Sequence, residues 1–446
     1  DYNRRDVQAT YELAVKLLDE YDRHPIVLSE TQVYSPASIG KAYLQAMGIV
    51  PILERQPDFP RPYLGHAQSA FFGGRTSAHI RKVPVPVVYT DFLSMYPTVN
   101  SLMGLWSIVT AKKIKIVKHC LEEIESFLRN LKPEDLFNPE TWPKLTAFVR
   151  LIPDGDILPS RGQYSSESND WQVAVNYLHA TNEAQAGHAL WFALPDVVAS
   201  VILTGRVPKL TDAFRIEPHG KLPGLKPVKL RGSVEIDPRS EDFFTRVIEA
   251  RKRLAADTDL SDSERNRLDK TLKVLANSTS YGIYAEMNRQ ESDERILVEC
   301  HGIDPASYQC RVAHPEAPGA YCFPPLATLI TAAARLMLAL LEHSVTSLGG
   351  TYAMEDTDSM AIVATKKGGL IQCPGGPHRL RNRKEAVHAL SWEQVWSIAN
   401  RFASLNPYDR RVVPGSILKI EDDNFDPETR EQRGIWCAAI SAKRYA

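Results

Sequence analysis

A short acidic cluster, Glu355-Asp356-Thr357-Asp358-Ser359, stands between two apolar strand-like runs, TYAM before it and MAIVA after it. Two strands joined so closely turn back as a tight hairpin, which pushes Asp356 and Asp358 out at its tip. A second β-branched run, VPVPVVYTD from Val83, ends at Asp91 and reads as a buried strand that also finishes on an acid. The chain is thereby committed to a sheet with carboxylates at its end. Taken singly, a turn aspartate usually bonds local backbone and a strand-end acid is usually solvated.

The rest of the chain is organised around such runs. Residues 2–20 place Val7, Tyr11, Leu13, Ala14 and Leu17 on one stripe and predict a packed helix. Four prolines between Pro51 and Pro62 predict a linker, because proline removes backbone donors. KKIKIVK at 112–118 alternates basic and apolar residues, as a solvated strand face does, and an amphipathic helix follows over 117–131. A polar loop around 154–170 reads as an insertion, and a helix over 196–204 is stopped by Gly205. Two helices, about 241–256 and 262–280, form a hairpin joined by DTDLS, with Ser261 and Glu264 supplying a capping box.

Composition excludes several classes. With 446 residues, 43% apolar and 24% charged, the chain is neither disordered nor fibrous. Its length suits two to four domains at ~100 to 200 residues each. Fifty-three basic against 54 acidic residues give a net charge of −1, so any nucleic-acid site must rest on local patches. Six dispersed cysteines without a CxxC fit a reducing compartment, and a cytoplasmic protein is expected. The most apolar long stretch, 324–341, is too short for a membrane span and holds Arg335 near its middle; no signal-peptide pattern opens the chain, so no membrane partner is expected. Asp1 in place of Met, and the ending SAKRYA, lead us to expect an excised fragment.

Three clusters share a chemical logic: Asp91-Phe-Leu-Ser94-Met-Tyr96-Pro97, Lys273-Val-Leu-Ala-Asn277-Ser278-Thr-Ser280-Tyr281-Gly282, and the cluster at 355–359. Phosphoryl transfer from a nucleoside triphosphate uses two divalent ions ~3.5 to 4 Å apart, which carboxylates from two adjacent strands can bridge. Mg²⁺ takes one or two carboxylates plus substrate phosphates, so two aspartates suffice as protein ligands. Lys273, Asn277 and Tyr281, spaced i, i+4, i+8, share one helix face on which a triphosphate could rest.

In these motifs the chain resembles the family B DNA polymerases. DxxSxYP matches motif A, KxxxNS followed by YG matches motif B, and DTDS matches motif C, in the family's order and spacing. Phe72-Gly73-Gly74 resembles the glycine motif between proofreading and polymerising domains, Lys443-Arg444-Tyr445 the KxY motif that holds the primer duplex, and Thr331 with Arg335 the helix before motif C. Tyr2 and Asp6 fit the YxxxD pattern that closes the 3′–5′ exonuclease. The resemblance implies an α+β fold: a right-hand palm with an antiparallel sheet and flanking helices, a two-helix fingers hairpin, and the tail of an RNase H-like exonuclease. The implied boundaries are 1–25 for the exonuclease end, 26–65 for a linker, 66–240 and 283–446 for the palm up to the thumb, and 241–282 for the fingers.

The resemblance further implies Asp91, Asp358 and the Phe92 carbonyl as ligands of two Mg²⁺ ions, with Mn²⁺ as substitute, and Asp356 as a residue that tunes the site. Ser94 and Met95 would offer amides to the triphosphate, Tyr96 would be a steric gate against a ribose 2′-hydroxyl, and Arg251, Lys273 and Asn277 would touch the triphosphate. Gly73, Gly74, Lys443 and Tyr445 would contact DNA. The implied partners are primer-template DNA, deoxynucleoside triphosphates and a processivity factor of unknown identity.

Some residues depart from the family pattern. Tyr281 follows Lys273 by eight residues where the family has seven, so Ser280 takes the expected angular place unless a π-bulge absorbs one residue. Met354 and Glu355 replace the usual Tyr-Gly; Glu355 either adds a metal contact or, by strand alternation, points away. Ala255 stands where the family tends to place a lysine, which shifts weight to Lys273 or Lys252. Cys300, His301, Cys310, His314 and Cys322 invite a zinc reading but match no compact ligand spacing, so an insertion loop is the plainer expectation. The basic run at 379–384 is either a solvated loop or a track for phosphates. Against DNA synthesis stands a catalytically inactive polymerase-like DNA-binding scaffold, which would be expected to have lost Asp91 or Asp358. A nuclease would need acids beyond Tyr2 and Asp6, and a reverse transcriptase would carry adjacent aspartates.

Overall fold

A computed structural model describes residues 2–163, 171–179, 189–255, 257 and 260–446. The fold is mixed α+β, with sheets that are predominantly antiparallel. Its main sheet is built on the strand Val85–Phe92, paired antiparallel with Ser359–Thr365 on one side and with Leu418–Ile420 and Ile435–Cys437 on the other. Ser359–Thr365 forms the expected hairpin with Tyr352–Asp356, and Thr76–Ala78 adds outside it. A second, four-stranded sheet runs in the order Ala111–Val117, Lys209–Lys221, Ala147–Ile152, Leu190–Ala193.

The two faces of the main sheet are covered unequally. Val88 and Phe92 face the large core, whereas Val85 and Val87 face a smaller cluster with Ala353, Met354 and Val363. By strand alternation Asp91 belongs to the smaller side, at the strand end, where apolar cover runs out. The large core surrounds the helix Pro324–Thr346, whose sequence is apolar on nearly all sides and which packs against Leu194–Thr204. This helix exceeds the apolar run read from sequence. By length and composition alone it could cross a membrane, but 94% of its most apolar window is buried inside the protein.

Other expectations change with the structure. Residues 26–65, expected as a linker, contain the helices Pro36–Ala46, Ile52–Arg55 and the start of Arg61–Ser69, with Tyr43, Leu44, Ile52 and Phe59 in the large core. Pro36, Pro51, Pro60 and Pro62 sit at or just before helix starts there, where a missing N–H costs nothing. The first helix, Tyr2–Tyr21, forms, but its apolar stripe is not packed: Val7, Tyr11, Leu13 and Leu17 are exposed, and Glu20 is its buried residue. The amphipathic helix spans Leu121–Asn130, because Val117 stays in the preceding strand. The supposed insertion loop is in part a hairpin, Ile157–Gln163 with Trp171–His179, while 164–170 lie outside the described residues. The paired helices run Phe243–Ala255 and Asp262–Ser280; Ser261 accepts from the Glu264 amide, and part of the DTDLS turn lies outside the described residues. The Ala255 side chain is likewise outside them.

Candidate active site

The hairpin turn brings the two acidic motifs together. Tyr352–Asp356 and Ser359–Thr365 are joined by only Thr357 and Asp358, with Thr357 in the left-handed region at φ 61°. The strained turn is held from outside, since the Thr357 amide donates to the Arg75 carbonyl at 2.7 Å. A Cβ added to Gly74 would lie 2.9 Å from the Thr357 side chain, so glycine there lets the Gly73-Gly74 segment pass against the turn. Ser359 stands opposite Asp91, and the Phe92 amide donates to the Asp358 carbonyl at 2.8 Å. Asp91, near the end of its strand, and Asp358, in the turn that leads into the adjacent strand, therefore sit side by side.

A cavity of about 740 Å³ opens over them. Asp91, Asp356 and Asp358 form its floor with Tyr89 and Glu421; Lys273, Asn277 and Tyr281 enter from the second hairpin helix. Met95 and Tyr96 enter from the helix Met95–Leu102, and Lys443 with Tyr445 from the hairpin of Ala439–Ser441 and Arg444–Tyr445. Burial pushes the Asp91 carboxyl up to about 8, helped by the neighbouring charges of Asp358 and Glu421 and opposed by Lys273. Asp358 and Glu421 are also raised, chiefly by burial, with Lys273 again opposing. Carboxylates crowded in this way could hold a cation or a cationic ligand. The Asn277 Oδ1 is buried and without a partner among the described residues.

Asp356 is differently engaged. Its Oδ1 accepts from the Lys443 ammonium at 2.5 Å and from the Thr357 hydroxyl at 3.0 Å, and its Oδ2 accepts from the Tyr445 hydroxyl at 2.9 Å. Glu355 points away from the cavity, as strand alternation predicts: it is buried against Arg75 at 2.6 Å and accepts from Ser77 at 2.8 Å. Burial raises its carboxyl to about 7 against the pull of Arg75.

Tyr281 reaches the site by ending the helix. The helical hydrogen bonding stops at Ser280, and Tyr281 takes φ −138°, ψ −46°, a non-helical conformation that swings its ring to 4.7 Å from that of Tyr96. Ser280, which occupies the expected angular place, is buried, and its hydroxyl donates to the Asn277 carbonyl. No π-bulge is needed. Ser94 caps Met95–Leu102 in a left-handed conformation (φ 44°, ψ 61°), and its hydroxyl receives Arg251 at 3.3 Å. The Arg251 guanidinium is otherwise taken by Asp269 at 2.6 and 2.9 Å, across the two helices.

Phe92, Gly73, Gly74, Ser94 and Arg251 adjoin the cavity residues without lining the cavity themselves. The Phe92 ring is buried edge-on against Phe402. Tyr2 and Asp6 are exposed on the first helix and line no part of this cavity. Arg379 pairs with Glu385 on an exposed hairpin. Sequence reasoning missed Glu421, which follows a three-residue strand paired with Val85–Phe92; an EDDN stretch offers no periodic signal, and only sheet pairing reveals its place.

No family model matches the sequence, and no curated protein matches it. Among solved structures, the chain is similar to Phi29 DNA polymerase complexed with primer-template DNA and incoming nucleotide substrates, at 12% identity and TM-score 0.40, over 92% of this chain and 55% of that chain. It is also similar to Phi29 DNA polymerase in an orthorhombic crystal form (14%, TM-score 0.38, 80% and 52%) and complexed with single-stranded DNA (11%, TM-score 0.36, 75% and 48%). The chain thus spans about half the length of these polymerases.

Proposed function

We propose that this chain is the polymerising part of a family B-type DNA polymerase, in which a primer 3′-hydroxyl attacks the α-phosphate of an incoming deoxynucleotide and pyrophosphate leaves. The observation that carries this reading is the convergence of Asp91, from a strand end, and Asp358, from the turn beside it, with Lys273 and Asn277, from the facing helix, on one cavity. In this reading the main sheet and its helices are the palm, and Phe243–Ala255 with Asp262–Ser280 are the fingers.

The donor set fits divalent cations. It offers hard carboxylate oxygens, and burial together with the charges of Asp358 and Glu421 pushes the Asp91 carboxyl up to about 8. Among the described residues no group of three or more His, Cys, Asp or Glu is placed to hold an ion, so in this reading substrate phosphates would have to complete the coordination of Mg²⁺ or Mn²⁺. Asp91, Asp358 and the Phe92 carbonyl would hold two such ions, which when bound activate the hydroxyl and neutralise the leaving pyrophosphate.

The chain's own residues do the rest. Lys273 and Asn277 bind the triphosphate, joined by Arg251 once it exchanges Asp269 for phosphate. The Ser94 and Met95 backbone faces the same phosphates, and Tyr96, braced by Tyr281, limits the sugar. Gly73, Gly74, Lys443 and Tyr445 hold primer-template DNA. Tyr2 and Asp6 belong to a proofreading exonuclease of the longer protein, which works in the cytoplasm with a processivity factor. The test is primer extension with Mg²⁺ in the wild type and in Asp91→Ala and Asp358→Ala. Extension should fall by several orders of magnitude in either variant while the thermal transition remains; a tenth of wild-type extension in either would overturn the assignment.

A further inference from the structure

Two of the six cysteines meet. Cys300 ends the strand Ile296–Cys300, and Cys310 lies in the antiparallel strand Tyr308–Val312, with Cys300 opposite Tyr308 and Val298 opposite Cys310. That register sets the two cysteines diagonally across the ladder on one face. Their Sγ atoms are 3.4 Å apart, both residues are half-buried, and neither is bonded, whereas Cys120, Cys322, Cys373 and Cys437 are buried. A disulfide is ~2.05 Å long, so the two sulfurs stand little more than ~1 Å beyond bonding distance. The zinc set suggested by sequence does not assemble, for Cys322 rests on the Met287 sulfur and His314 pairs with Glu291.

The loop these cysteines bracket is a docking element. The Gly302 carbonyl bonds His66 at 2.7 Å, the Ile303 carbonyl accepts from the Trp191 indole at 2.9 Å, and Asp304 pairs with Arg150 at 2.9 Å. A Cβ on Gly65 would come within 2.5 Å of the His301 backbone. The loop therefore lies tightly between the helix Arg61–Ser69 and the four-stranded sheet, and a covalent tie across its mouth would hold it there.

We propose that Cys300 and Cys310 are a redox-modification site, which closes reversibly to an intrachain disulfide by exchange with a small-molecule disulfide of the glutathione class. One thiolate of the pair attacks the external disulfide, forming a mixed disulfide and expelling one thiolate. The second thiolate attacks the protein sulfur of that mixed disulfide, forming the Cys300–Cys310 bond and expelling the other. The protein loses two electrons and two protons, and the external disulfide gains them as two thiols.

The test equilibrates the full chain with oxidised and reduced glutathione in varied ratio, traps free thiols by alkylation, and maps peptides by mass. The expected result is loss of two hydrogens, one linked peptide containing Cys300 and Cys310, four cysteines still alkylated, and reversal by reduced glutathione. Cys300→Ser and Cys310→Ser should each stop at a glutathione adduct on the remaining thiol. Proteolysis within 301–307 should slow at least ~3-fold on oxidation, because local opening is restrained. Stable adducts at either cysteine of the wild type, a chain that stays reduced in oxidised glutathione, or cross-links shared with the buried cysteines would each overturn the proposal.

Discussion

Arg335 and Asp196 form a two-pronged ion pair, 2.7 Å at each contact, with neither side chain exposed. The same guanidinium donates to the Phe72 and Gly73 carbonyls at 2.7 Å. One buried cation thus ties the long helix to Leu194–Thr204 and to the Gly73-Gly74 segment, which in turn lies against the acidic turn at Thr357.

Breaking that pair from one side should be costly. Asp196→Ala leaves a buried guanidinium without its counter-ion and should destabilise the protein by about 3 to 5 kcal/mol, whereas Asp196→Leu combined with Arg335→Met should lose less. Urea unfolding of the three proteins decides it. A double variant as unstable as the single one would mean that the bonds to Phe72 and Gly73 matter more than the ion pair.

The Asp91 carboxyl, raised to about 8 by burial and by Asp358 and Glu421, has a consequence for stability in the presence of a chelator. Its folded value lies above the unfolded value of ~3.9, so the fold binds the proton more tightly than the unfolded chain does. Stability is then fullest below the unfolded value and is lost as pH rises toward 8. Asp91→Asn does not titrate, so its melting temperature should gain on wild type steadily from pH 5 to pH 8. A gap independent of pH would show that the carboxyl is not perturbed.

Tyr96 stands with its ring 4.7 Å from Tyr281 at the cavity wall. If this wall excludes a 2′-hydroxyl, Tyr96→Ala should raise ribonucleotide use relative to deoxynucleotide use by roughly two orders of magnitude, equivalent to ~3 kcal/mol. The measurement is the ratio of the two kcat/KM values, taken where both proteins are folded. An unaltered ratio would make Tyr96 a packing residue.

Lys443 is held by Asp356 at the cavity edge, with most of its side chain open to solvent. If the ammonium turns from Asp356 to a DNA phosphate on binding, Lys443→Ala should weaken primer-template binding across sequences and lower the log-log salt slope by about one. Binding titrations at several salt concentrations read this directly, and an equal slope in both proteins would leave Lys443 with Asp356 alone.

Much of the candidate site was legible in the chain itself. The acidic hairpin turn follows from two apolar runs separated by too few residues for anything but a return, and the helix bearing Lys273 and Asn277 follows from local spacing. These are short-range consequences of backbone geometry. Helix boundaries, by contrast, were settled by neighbours: Tyr281 left the helix to meet Tyr96, and residues 26–65 folded because a core was there to receive Tyr43, Leu44 and Phe59. The exposed stripe on Tyr2–Tyr21 shows the converse, for an apolar pattern expresses a helix without supplying its partner. Glu421 beside Asp91, Lys443 on Asp356 and Cys300 against Cys310 depended on strand register, and Arg335 on Asp196 depended on helix packing. Local spacing along the chain dictates which residues can turn, alternate or cap. Which charges share a low-dielectric space is set by the packing of whole elements, because contacts between distant segments follow from no local spacing.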